Sequence, residues 1–196
     1  MSAPLKDPAR FLEELDQLLD APGASAEVLV HLSAALPELA LPSGGRERLL
    51  TQLSGQGRFH HFADKVAELL DLGIERARAL LDQLDDPSGW VEQIPGISFL
   101  WVDGGPRVAA AVRGFVRVRA GVTFPEHEHF GDERVFVLQG AFEDLERGVR
   151  VGVGQGDHMP PGTSHNYRVP ADGPDLLKLA VIQKGLRALG QDFLPR

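Results

Sequence analysis

Apolar residues recur at helical spacing over the first part of the chain, from residue 8 to about residue 86. This period places one apolar face on each helix, so the pattern predicts amphipathic helices. The apolar stripes occupy residues 11–19, 28–36, 49–53, 59–70 and 74–84. Residues 85–89 read Asp-Asp-Pro-Ser-Gly, a group of strong breakers that predicts the end of the last helix. We therefore predict an all-α domain over residues 1–88.

After Trp90 the pattern changes to short apolar runs that are separated by glycine and proline. Residues 115–119 and 149–153 alternate between apolar and polar, as half-buried strands do. Further candidate strands are residues 97–102, 134–138, 166–169 and 176–182. About eight short strands in roughly a hundred residues predict a compact antiparallel β-barrel or jelly roll over residues 89–196. The predicted fold class is therefore α+β, with a helical domain before a β-domain.

Composition and charge restrict the function further. The chain has 196 residues, of which 43% are hydrophobic, and its net charge is −8. The acidic balance disfavours direct nucleic-acid binding. There is no cysteine, so disulfides and thiolate metal sites are excluded. The charged N-terminal segment does not resemble a signal peptide, and no apolar run is long enough to cross a membrane, so we expect a cytoplasmic protein.

Two histidines at i and i+2, His127 and His129, stand in a predicted strand, where such positions share a face. Glu133 follows across the short bend at residues 130–132, and His165 follows later in the chain. Three imidazole nitrogens and one carboxylate oxygen suit zinc, iron, manganese, nickel or copper. The spacing predicts that these four residues bind one divalent transition metal.

These residues fall in two motifs that resemble those of the cupin superfamily. The first motif, G-x5-H-x-H-x3-E-x6-G, is met at Gly121, His127, His129, Glu133 and Gly140. The second, G-x5-P-x-G-x2-H-x3-N, is met at Gly154, Pro160, Gly162 and His165, while Val169 replaces the final asparagine. The resemblance covers about residues 90–184. It implies a cupin barrel around the metal and a homodimer that pairs through strand edges.

Residues 121–144, with Phe142 and Asp144 near their end, are similar to the cupin half of ChrR-like anti-sigma factors. The resemblance implies a zinc-binding regulatory protein whose residues 1–88 bind a sigma factor, while the cupin domain senses a signal. Members of that family often carry a second zinc motif, H-L-S-x-C-x2-C. Here His31, Leu32 and Ser33 are followed by Ala35 and Glu38 at the cysteine positions. A second zinc site of that kind is therefore absent or severely altered.

Three further residues are candidates for a pocket that holds a small-molecule ligand at the metal. Tyr167 lies two positions after His165 and can face the same interior. His158 and Arg134 are candidates that also fit exposed strand positions. The pattern identifies no catalytic residue. It leaves two functions open: a metal-containing regulator, or a mononuclear metal enzyme such as a dicarbonyl-cleaving dioxygenase, an isomerase or a hydrolase.

Overall fold

Two short α-helices precede twelve β-strands in residues 57–195, the part of the chain that this computed structural model describes. These residues belong to one compact unit, Thr51–Arg196. The first three predicted helices, within residues 11–53, lie outside the described residues.

The last two predicted helices are confirmed. Helix α1 spans Ala63–Leu70 after a 3-10 turn at His60–Phe62, and helix α2 spans Ile74–Asp82 before a 3-10 turn at Gln83–Asp85. Helix α1 ends before Asp71, whose φ of 56° breaks the helical backbone. Within the predicted breaker at residues 85–89, the Asp86 side chain accepts a hydrogen bond from Ser88 N, and this contact stabilises the turn.

The strands form two six-stranded sheets in which all neighbouring strands run antiparallel. The strands are β1 (Val91–Ile94), β2 (Ile97–Trp101), β3 (Ala111–Val118), β4 (Thr123–His129), β5 (Glu133–Gln139), β6 (Ala141–Asp144), β7 (Val149–Gly152), β8 (Gly156–Met159), β9 (Ser164–Arg168), β10 (Leu176–Gln183), β11 (Leu186–Ala188) and β12 (Gln191–Phe193). The first sheet has the order β1-β2-β3-β10-β5-β8, and the second has the order β12-β11-β4-β9-β6-β7.

The two sheets form a sandwich, and they are not closed into a barrel. The predicted closed barrel is therefore wrong, whereas the double-sheet arrangement is consistent with the jelly-roll alternative. One core lies between the sheets, where Val116 and Val137 of the first sheet pack near Phe124 and Phe142 of the second. Alternation along a strand tells which face is buried, but it does not tell which strands pair. The sequence pattern therefore could not separate a barrel from a sandwich.

A second core joins the two helices to the outer face of the first sheet. Val66 and Leu70 of α1 belong to the same cluster as Phe115, Phe136 and Leu179 of the sheet. Strand β10 is consequently covered on both faces, which explains why nearly every residue along it is buried.

The division between residues 88 and 89 stays a prediction. In addition, no described helix combines the length and apolar character needed to span a membrane.

Candidate metal centre

Strands β4 and β9 place three imidazoles side by side in the second sheet. His127 and His129 are both buried and lie on the same face of β4, as their spacing predicts. His165 lies directly opposite His127 on the neighbouring strand. The pairing of β4 with β9 therefore brings a residue 36 positions away beside the two histidines.

Glu133 reaches the same point from the opposite sheet. It is the first residue of β5, and its side chain is 3% exposed. The chain crosses from one sheet to the other between His129 and Glu133, where Gly131 passes close to the backbone of Gln183. A Cβ at Gly131 would lie 2.7 Å from the carbonyl carbon of Gln183, so only glycine permits this approach.

The four side chains converge on one point. One ligand atom from each of His127, His129, Glu133 and His165 lies within 4.8 Å of all the others. His127 Nε2 and His165 Nε2 are 3.0 Å apart, and His129 Nε2 is 3.2 Å from Glu133 Oε2. The β-sandwich thus contains a buried His/Glu group that is compatible with a divalent metal.

Each histidine uses its other ring nitrogen to contact an outer partner. The three contacts join His127 Nδ1 to Pro125 O at 2.9 Å, His129 Nδ1 to Thr163 Oγ1 at 3.3 Å and His165 Nδ1 to Asp144 Oδ2 at 2.6 Å. A carbonyl or carboxylate oxygen can only accept, and Thr163 Oγ1 already donates to Pro160 O at 2.6 Å. Each Nδ1 therefore carries a proton, so in the neutral tautomer of each ring Nε2 is the atom left free to bind a metal.

This arrangement tests whether the residues fit a metal ion. When both rings are in these neutral tautomers, the Nε2 lone pairs of His127 and His165 face each other across 3.0 Å and repel one another. The Nε2 atom of His129 is buried and has no hydrogen-bond partner among the described residues. A cation shared by the three lone pairs and the Glu133 carboxylate would remove both costs. The donor set therefore fits a divalent transition metal.

Asp144 fixes the third imidazole and is itself firmly held. Its buried carboxylate accepts hydrogen bonds from His165 Nδ1, Arg147 Nε and the backbone N–H groups of Glu146 and Arg147. Burial would raise the pKa of this carboxyl, but the hydrogen bonds from His165 and Arg147 lower it to about 2. Arg147 also forms an ion pair with Asp157, so the support of the site continues to strand β8. Partners of this kind orient metal-binding histidines.

Residues 82–176 match the family model described as the ChrR Cupin-like domain. The chain contains a cupin domain that resembles that of ChrR. Among solved structures, the chain is similar to Rhodobacter sphaeroides SigE in complex with the anti-sigma ChrR, at 20% identity over 80% of this chain and 75% of that chain, with a TM-score of 0.48.

Two other solved structures resemble the cupin domain. An acetylacetone dioxygenase from Acinetobacter johnsonii is 15% identical over 56% of this chain and 82% of that chain, with a TM-score of 0.47. An RmlC-like cupin protein from Ralstonia eutropha JMP134 is 22% identical over 54% of this chain and 69% of that chain, also with a TM-score of 0.47. The sequence has no match among the curated proteins.

A small cavity in the cupin domain lies beside the four-residue group. Its volume is about 40 Å³, and its polar lining residues are His127, Glu133, Tyr167 and Lys178. Tyr167 therefore faces the interior, as its position two residues after His165 indicates. Burial and the nearby Glu133 raise its pKa well above the usual tyrosine value. The Oη atom is buried and has no hydrogen-bond partner in residues 57–195.

Lys178 is a buried residue of this cavity that the sequence reasoning missed. Its side chain is 3% exposed, and its Nζ lies 4.0 Å from Glu133 Oε1. Burial lowers the pKa of this lysine, whereas Glu133 opposes that change. Burial would also raise the pKa of Glu133, but Lys178 holds it well below its usual value. The available signal was a single charge within the apolar run at residues 176–182.

The other two candidate pocket residues lie elsewhere. Arg134 and His158 line an exposed groove beside helix α1, and neither of them lines the cavity next to the histidines. His158 Nε2 is 2.8 Å from Asp132 Oδ1 on this outer side. Arg134 follows Glu133 directly, so the alternation of β5 turns its side chain to the opposite face. The structure therefore does not bring Arg134 and His158 into the pocket at the metal group.

Proposed function

We propose that the cupin domain binds one divalent transition metal through His127, His129, Glu133 and His165. The observation that carries this proposal is the convergence of three buried imidazoles and one buried carboxylate, whose ligand atoms all lie within 4.8 Å of one another. Neutral imidazoles with outward Nδ1–H bonds are the form in which histidine ligates metals. Zinc is the ion that we expect, and iron, manganese, nickel and copper suit the same donor set.

Elemental analysis of the purified chain tests the metal site. We expect about one transition-metal ion per chain, as four converging ligands define one site. The double variant His127→Ala, His165→Ala should lose this ion. The variant His158→Ala is a matched control because this histidine is exposed and contacts Asp132 instead. A metal-free wild-type protein from metal-replete cells would contradict the proposal.

We further propose that the protein is a ChrR-like anti-sigma factor in which the metal-binding cupin domain senses a signal. The match of residues 82–176 to the ChrR Cupin-like domain supports this role. The cavity size supports it as well, since about 40 Å³ is far below the roughly 300–1,000 Å³ of usual ligand pockets. Without cysteine, the signal cannot be thiol oxidation, so it acts through the metal, its histidines or a bound small molecule.

Co-expression of the full chain with an extracytoplasmic-function sigma factor tests the regulatory proposal. We expect the two proteins to co-purify and the complex to inhibit transcription from a promoter that the sigma factor recognises. Removal of residues 1–56 should abolish capture, because the predicted sigma-binding region includes these residues. If sigma factors encoded near this chain neither co-purify with it nor lose activity in its presence, the regulatory proposal is wrong.

A mononuclear metal enzyme is the second candidate, and a specific feature favours it. A larger cavity of about 500 Å³ shares Trp101 and Val112 with the small cavity. A rearrangement of these two side chains would open a path from the outer cavity to the histidines. Oxygen consumption by the iron-loaded protein with a dicarbonyl compound would support a dioxygenase, whereas turnover without oxygen would support an isomerase or a hydrolase.

The homodimer also stays a prediction. The edge strands of the first described sheet are β1 and β8, and those of the second are β12 and β7. An unpaired strand edge can accept a strand from a second copy. Sedimentation analysis of the full chain at several concentrations would give the oligomeric state.

A further inference from the structure

The small cavity beside the histidines has apolar walls and few polar atoms. Phe99, Trp101 and Ile182 are among its apolar lining residues. Two hydrogen-bond donors, Tyr167 and Lys178, complete the lining on the side of the Glu133 carboxylate. Tyr167 Oη is buried without a hydrogen-bond partner among residues 57–195, and Lys178 Nζ lies 4.0 Å from Glu133 Oε1, beyond hydrogen-bond distance.

Several groups around Lys178 stabilise its charged form and oppose the effect of burial. Its Nζ lies 4.2 Å from the ring centroid of Tyr167, 5.2 Å from that of Phe142 and 6.0 Å from that of Phe124. Aromatic faces attract a cation, and the attraction grows when water is excluded. The neighbouring Glu133 carboxylate adds an opposite charge at 4.0 Å. The cavity therefore holds a buried lysine amino group that lies among aromatic rings and near one carboxylate.

The positive and negative charges around the proposed metal then do not cancel. Histidine ligates metals as the neutral imidazole, and Glu133 is the one carboxylate among the four converging residues. A divalent ion together with Glu133 and Lys178 leaves two positive charges uncompensated. Asp144 and Asp157 share the single positive charge of Arg147, so this outer group offsets at most one of these two charges. Uncompensated charge in a buried region is costly, so this centre favours an anionic ligand on its open side.

We propose that this cavity is a binding site for a small carboxylate anion, which contacts the metal on one side and Lys178 Nζ and Tyr167 Oη on the other. The proposal rests on the proposed metal site. Zinc can accept a fifth ligand, and iron or manganese keeps open positions with four protein ligands. The volume limits the ligand, since a water needs about 10–15 Å³ and the cavity has about 40 Å³. Lys178 thus acts as the residue that selects for negative charge.

Formate and formamide test this proposal because they have nearly the same size and differ in charge. The full chain is loaded with Co²⁺, and each compound is titrated at constant ionic strength while the visible absorption of the ion is recorded. We expect formate to change the spectrum in a saturable manner. Formamide should leave the spectrum unchanged over the same concentration range, because it cannot neutralise the centre.

Variants then assign the selectivity to its residues. Lys178→Met should keep Co²⁺ but weaken formate binding by tenfold or more, and Tyr167→Phe should weaken it less. Lys65→Met is the matched control, because it removes the same charge from an exposed position on α1 that is paired with Glu68. Equal binding of formate and formamide to the wild type would overturn the proposal even if the Lys178 variant does not fold.

The same experiment separates this inference from the metal proposal. A Lys178→Met chain that retains Co²⁺ and binds formate as tightly as the wild type overturns the anion site alone. A wild-type chain that gives no Co²⁺ spectrum overturns the metal site, and the anion site fails with it.

Discussion

At the scale of the residue, the proton on each imidazole is assigned by the atom that contacts Nδ1. Pro125 O and the Asp144 carboxylate can only accept, so His127 and His165 must donate to them. In the neutral form of each ring, Nε2 is then the unprotonated atom, and it is directed inward. The chemistry of the site therefore depends on outer residues as much as on the four side chains that converge.

Asp144→Asn should weaken metal binding by about 10–100-fold, because the amide no longer offers His165 a charged acceptor. The measurement is competition with a chelator of known affinity. Glu143→Gln is the matched control, since this neighbouring carboxylate is paired on the surface with Arg168. Unchanged affinity in Asp144→Asn would show that the hydrogen bond does not orient the ligand.

Acid should destabilise the metal-free protein through His127. Burial lowers its pKa to about 3, although Glu133 opposes the shift. A histidine in the unfolded chain has a pKa of about 6.5. At a pH between these two pKa values, the unfolded chain therefore binds a proton at residue 127 and the folded chain does not. The free energy of unfolding should therefore fall by up to about 1.4 kcal/mol per pH unit from this group as pH decreases below about 6.5.

Denaturant titrations of the chelator-treated protein at about pH 7.5 and about pH 5 measure this effect. His127→Gln should show a smaller loss of stability between the two conditions than the wild type. An identical loss in both proteins would contradict the assignment. Asp144 should also destabilise the folded chain in acid, but at lower pH, between the ordinary pKa of an aspartate and its own pKa of about 2.

At the scale of the element, the connection from β4 to β5 is the critical segment. It carries the chain between sheets within the three residues that separate His129 from Glu133. The hydrogen bonds Phe130 N to Gly185 O and Gln183 N to Asp132 O anchor the segment on both sides. Its close approach to β10 therefore sets the distance between ligands that belong to different sheets.

Gly131→Ala should lower stability by about 1–3 kcal/mol and weaken metal binding, because the added Cβ displaces the backbone of Gln183. Thermal unfolding and metal competition measure the two effects. Gly173→Ala is the control, since a Cβ there would meet no atom within 4 Å. Equal metal affinity in the two variants would show that the connection can shift without moving Glu133.

At the scale of the whole molecule, the described helices and the sandwich share a core. Leu70 is fully buried in the cluster that includes Phe115 and Phe136. Leu84, in the turn after α2, is buried in the same cluster. Residues 63–85 should therefore unfold together with the strands.

Leu70→Ala should lower the free energy of unfolding by about 2–5 kcal/mol, because the lost side chain leaves a cavity between helix and sheet. Far-ultraviolet circular dichroism and tryptophan fluorescence should report one common transition for the described region. Arg76→Ala is the control at an exposed position of α2. If the fluorescence transition of the variant stays at the wild-type midpoint, the helices and strands are independent.

Local spacing was sufficient for the parts of the molecule that depend on neighbours in sequence. The alternation at residues 115–119 and 149–153 predicted strands that are present, and Gly140 and Gly162 have the positive φ that their turns require. The two cupin motifs identified the four residues that converge. Each of these features follows from periodicity or from side-chain type, which a sequence displays directly.

The sequence by itself determined the strand pattern, the absence of thiol chemistry and the four residues of the candidate metal group. Only the tertiary structure decided that the two sheets stay open, that the helices cover β10 and that Arg134 and His158 lie outside the cavity. It also brought Asp144 to His165 and Lys178 to Glu133, pairs that are 21 and 45 positions apart in the chain. Such contacts arise from strand pairing and sheet packing, which no local pattern specifies.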